Sequence, residues 1–159
     1  MLYIQYTFGG DFPMANEAIE KFNALMQEYV DKSYEELFEI ASKSLEISME
    51  VFNKIAKDGN GAPYVVLFIS TTLAMDGKFT ELEYKFLNEL LGGNVNYENA
   101  KANVQSHYSD EAFDLADQII DSCPDDFKTV LLMLVTCFAA VDKTITVDEA
   151  RYIAKLMVK

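Results

Sequence analysis

Apolar residues recur at intervals of three and four along almost the whole chain, the spacing of amphipathic helices. Over residues 15–30 the stripe is Ala18, Ile19, Phe22, Leu25, Met26, Tyr29 and Val30. A second stripe follows Ser33, with Leu37, Phe38, Ala41, Leu45, Ser48, Met49, Phe52, Ile55 and Ala56. Ser33 and Glu36 form a capping-box pattern at its start, and "DGNG" stops it. Pro63 is placed to open a third helix. That segment, "YVVLFISTTLAM", is apolar on nearly every side, as is "FKTVLLMLVTCFAAV" later. Both are long for strands, and the second is rich in good helix formers, so both are predicted to be central helices surrounded by other helices. Further helices are predicted near 81–91, ended by Gly92 and Gly93, near 97–107, after Ser109, and near 147–158. The fold class expected is all-α: a compact bundle of about seven or eight helices in one domain spanning 1–159. Only "LYIQYTF" departs from the helical period, and residues 1–12 are expected to form an extended N-terminal arm.

Two stretches nearly repeat. "LAMDGKFTELEYKFLNEL" and "AAVDKTITVDEARYIAKL" superpose at an offset of 66 residues, which carries Asp76 onto Asp142, Thr80 onto Thr146 and Glu83 onto Glu149. Apolar positions coincide as well: Phe68 with Leu134, Phe79 with Ile145, Phe86 with Tyr152 and Leu90 with Leu156. The unit is buried helix, Asp-initiated turn, capped second helix, at about 63–92 and 129–158. Two copies are too few for a solenoid, so internal pseudo-symmetry within one bundle is expected.

The repeated turn has three readings. Thr80-x-x-Glu83 and Thr146-x-x-Glu149 are capping boxes, with Phe79 and Ile145 as staples, and that accounts for the pattern without a ligand. "DGKFTELE" also matches the last eight positions of an EF-hand loop. The first ligand positions would then be Thr72 and Ala74, or Phe138 and Ala140, where calcium needs oxygen donors, so a calcium-sensing loop is disfavoured. In the third reading the two turns meet. Four carboxylates would then repel one another, and a divalent cation would reverse that repulsion. An all-oxygen donor set favours calcium, magnesium or manganese over zinc.

The segments "ISTTLAMDGKFTELEYKFLNELLG" and "VTCFAAVDKTITVDEARYIAKLM", with "SDEAFDLADQII" between them, resemble the TerB-like family. That family includes tellurite-resistance protein B and the N-terminal domain of some membrane-anchored J-domain proteins. The resemblance covers about residues 63–158 and leaves 13–60 unexplained beyond their helical pattern. It implies a non-enzymatic acidic helical module, with a role in bacterial stress response and a divalent metal at Asp76, Glu83, Asp142 and Glu149. Lys143 departs from the pattern, standing where the usual turn has Gly, and a lysine beside Asp142 is expected to neutralise it.

Charge narrows the partners. The chain has 26 acidic against 13 basic side chains, a formal charge of −13. Such a surface repels phosphate backbones and anionic lipid, so nucleic acid is not expected, while a basic protein partner or a metal ion is. No apolar run reaches the roughly 20 residues of a bilayer span, and the N-terminus lacks a leader pattern, so a cytoplasmic location without membrane insertion is expected. Catalysis finds little support. His107 is the single histidine and aligns with Val104 and Ala100. No nucleophile elbow or phosphate loop is present. Cys123 and Cys137 have no metal-ligand spacing and are expected to be packing residues. The alternatives to metal binding are a metal-free interaction or scaffold module with capped turns and, less favoured, a metal-dependent hydrolase.

Overall fold

The computed structural model describes residues 13–158. The expected N-terminal arm, 1–12, lies outside the described residues. Among the described residues eight helices follow one another: α1 Pro13–Asp31, α2 Tyr34–Ile55, α3 Ala62–Ala74, α4 Glu81–Leu90, α5 Tyr97–Ser106, α6 Asp110–Asp121, α7 Asp125–Ala140 and α8 Val147–Val158. None of the described residues is in a strand, and no helix among them is long and apolar enough to cross a membrane.

The two apolar segments are the centre. In α3 every residue from Leu67 to Ala74 is buried, and in α7 every residue from Leu134 to Ala140. Helix α2 packs against both, α5 and α6 lie on α3, and α1 lies on α7. The second helices of the repeat cross over: α4 packs on α7, and α8 packs on α3 as well as on α7. The rings that join these layers are set edge to face. Phe86 of α4 meets Phe138 of α7 at 5.1 Å and 90°, and Phe52 of α2 meets Phe127 at 5.1 Å and 87°. That geometry places the positive edge of one ring on the negative face of the other. Burial of this core is the main stabilising term, at about 1.5–3 kcal/mol for each large side chain removed from water.

Local signals place the helix ends. Ser33, Thr80, Asn96 and Ser109 each accept a hydrogen bond from the backbone N–H three residues on. Gly61 permits α3 to approach α2, because a Cβ there would stand 2.5 Å from the Phe52 backbone carbon. The predicted stripes are accurate at their centres and looser at their edges. Met26, Tyr29, Leu37, Ala41 and Phe52 are buried, whereas Ala18, Leu25 and Ile55 are exposed. Cys123 and Cys137 are buried free thiols, as a packing role requires.

Candidate functional site

The two repeated turns have the same construction. Asp76 Oδ1 accepts from the Lys78 N–H at 2.9 Å, and Asp142 Oδ1 accepts from the Thr144 N–H at 3.2 Å. The residue after each Asp is left-handed, Gly77 at φ +70° and Lys143 at φ +67°. Then comes the capping box. Thr80 N–H donates to Glu83 Oε2 at 2.9 Å, and Thr146 N–H donates to Glu149 Oε2 at 2.8 Å. In return the Glu83 and Glu149 N–H groups each donate to the Thr Oγ1 at 3.2 Å. Phe79 packs edge-on against Tyr84, four residues into α4 from the cap, as a hydrophobic staple does. Thr72, one of the positions an EF-hand would need as a ligand, instead donates to the Phe68 carbonyl within α3.

Both capping glutamates are buried, Glu83 at 0% and Glu149 at 1% exposure. Burial pushes each carboxyl up to about 8, against the backbone hydrogen bonds that favour ionisation. The next contribution crosses between repeats. Asp142 and Asp76 both raise Glu83, and Asp76 and Glu83 both raise Glu149. Asp142, half-buried, is itself raised by desolvation and then by Asp76. The four acids therefore occupy one electrostatic neighbourhood. Within it, Glu83 Oε1 is buried and has no hydrogen-bond partner.

A third copy of the cap shows what is unusual here. Ser33 and Glu36 make the same box, yet it is exposed, and the Ser33 backbone hydrogen bond holds the Glu36 carboxyl below its ordinary value. An identical local motif thus gives opposite electrostatics once the fold buries it.

Lys143 does not neutralise Asp142, contrary to the expectation from sequence. Its Nζ donates to the carbonyl of Lys32, between α1 and α2, and Asp142 receives no lowering contribution from it. The lysine ties the second turn to the α1–α2 corner.

Cross-repeat contacts hold the two turns together. Thr71 Oγ1 of α3 lies 2.7 Å from the Tyr152 hydroxyl of α8, a buried hydrogen bond. Tyr152 is the counterpart of Phe86, whose ring meets α7. Sequence patterning aligned these two residues but gave no sign that each reaches into the other repeat.

All-oxygen chemistry and an unsatisfied buried oxygen suit a hard cation. Among the described residues, however, no three acidic, imidazole or thiol side chains stand close enough to ligate one ion as placed. His107 is not part of the site: its Nδ1 lies 2.7 Å from the Asn103 carbonyl of its own helix. No family model, curated protein or solved structure matches this chain.

Proposed function

We propose that this chain is a non-enzymatic acidic helical module that takes a divalent cation between its two acidic turns. Glu83 and Glu149 would hold the ion through the oxygen outside the cap, so both capping boxes persist, and Asp76 and Asp142 would complete the set by turning inward. The cation would supply charge neutralisation, not catalysis. The reading is carried by one observation: Glu83 Oε1 is buried without a partner in a carboxyl group that burial and then the neighbouring Asp142 and Asp76 charges push up. Calcium, magnesium and manganese fit the oxygen donors. The TerB-like resemblance would set this activity in a bacterial stress response.

A second reading has its own support. The turns are fully capped, and no three donors are at ligating distance, which suits a metal-free scaffold whose buried glutamates hold protons.

Thermal unfolding with calcium or manganese separates the two. A cation at a hundredfold its dissociation constant adds about 2.7 kcal/mol, roughly 5–10 °C for a domain of this size. Asp76→Asn with Glu83→Gln should abolish the rise. No rise at millimolar metal would establish the scaffold reading instead.

A further inference from the structure

A groove of about 570 Å³ runs between α6 and the start of α8, beside the acidic turns. Its apolar lining is Met75, Tyr108, Phe113 and Tyr152. Tyr108 is 64% exposed and meets Phe113 edge-on at 6.0 Å, and Phe113 leans on Tyr152 at 6.1 Å. The row therefore runs from solvent into the core: Tyr108 is exposed, Phe113 is half-buried and Tyr152 is buried.

The charges of the groove are unevenly matched. Its two cations already have partners: Lys155 pairs with Asp117 at 2.9 Å, and Arg151 stands 3.9 Å from Asp148. Asp110 and Asp114, both exposed and both in the lining, make no ion pair among the described residues. They are four residues apart on α6, so their side chains project from one face about 5–6 Å apart. Two unmatched carboxylates one helical turn apart, next to the exposed Tyr108 ring, complement two guanidinium groups at the same spacing. Arginine suits both features, since it pairs with carboxylates and stacks on tyrosine.

We infer that this groove docks a basic amphipathic helix of a partner protein, with two arginines one turn apart on Asp110 and Asp114 and an apolar side chain against Tyr108 and Phe113. The net charge of −13 disfavours nucleic acid and anionic membrane as occupants. The inference is independent of the cation reading, because neither Asp110 nor Asp114 belongs to the paired turns.

The test is fluorescence anisotropy with a labelled alanine-based helical peptide carrying two arginines one turn apart and a leucine between them. Asp110→Asn with Asp114→Asn should weaken binding about tenfold, the equivalent of ~1.4 kcal/mol. Tyr108→Ala should weaken it about fivefold. Glu46→Gln with Glu50→Gln, an exposed acidic pair of the same spacing on α2, should change it less than twofold. Equal losses from the α6 and α2 pairs would mean general attraction to an acidic surface and would overturn the groove, as would absence of binding at low salt. The metal-dependent rise in melting temperature should survive in the α6 variant, so failure of one reading is distinguishable from failure of the other.

Discussion

Replacing both buried glutamates with glutamine should stabilise the metal-free protein, and only above acidic pH. Each carboxyl is raised from an ordinary 4.5 to about 8 in the folded chain. Below pH 4.5 the group is protonated whether the chain is folded or not, and stability is unaffected. Between 4.5 and 8 the unfolded chain releases the proton and the folded chain keeps it, so folded-state stability falls as pH rises. At about 1.36 kcal/mol per unit, each carboxyl costs about 3 kcal/mol at pH 7 relative to acid. Glu83 contributes to the shift of Glu149, so the two are not independent and the pair costs less than twice that. Lys143 does not offset it, because it is engaged with Lys32. Glutamine keeps the cap, since a Gln at the third position can accept from the Thr N–H as Glu does. Its amide would replace the partnerless Oε1 with a donor facing an acidic neighbourhood. Urea unfolding in a chelator at pH 5, 6, 7 and 8 reads the effect. Wild type should lose several kcal/mol across that range, and Glu83→Gln with Glu149→Gln should be nearly flat and about 3 kcal/mol or more stabler at pH 8. A wild-type profile as flat as the variant's would refute the buried-carboxyl reasoning.

Thr80→Ala and Thr146→Ala should each cost about 1 kcal/mol by chemical denaturation, the worth of a cap. Lys143→Ala should destabilise more than Lys143→Gly in the same assay, by about 1 kcal/mol, because both lose the bond to Lys32 but only glycine relaxes the left-handed backbone. Gly61→Ala should lower stability by roughly 1–3 kcal/mol, since its methyl would overlap the Phe52 backbone. Phe138→Ala, in the fully buried centre, should cost about 3–5 kcal/mol.

Helix number, order and caps were legible in sequence because each depends on residues within a few positions of one another. Ser33, Thr80 and Ser109 cap where their spacing predicts, and α3 and α7 are central as their unbroken apolar runs require. Burial of the capping glutamates was not legible. Glu36, Glu83 and Glu149 sit in the same motif, and only tertiary closure separates the first from the other two. Lys143 shows the same limit: its left-handed backbone follows from alignment with Gly77, but the direction of its side chain is set by Lys32, far away in the chain.

The shared acidic neighbourhood follows from second helices that reach across to the other half. If α4 packed only on α3 and α8 only on α7, each Asp would influence its own repeat. Instead α4 lies on α7 through Phe86 and Phe138, and α8, while packed on α7, also lies on α3 through Tyr152 and Thr71. The crossing brings Asp142 to bear on Glu83 and Asp76 on Glu149, and in each case, after burial, the aspartate pushes the buried glutamate up. The arrangement therefore has an electrostatic cost that a proton or a cation relieves. A change that loosens it, such as Tyr152→Phe at the hydrogen bond to Thr71, should weaken the pH dependence of stability together with any cation response. A variant that keeps both while losing only that one hydrogen bond, about 1 kcal/mol, would show that the acidic neighbourhood is held by the cores of α3 and α7 alone.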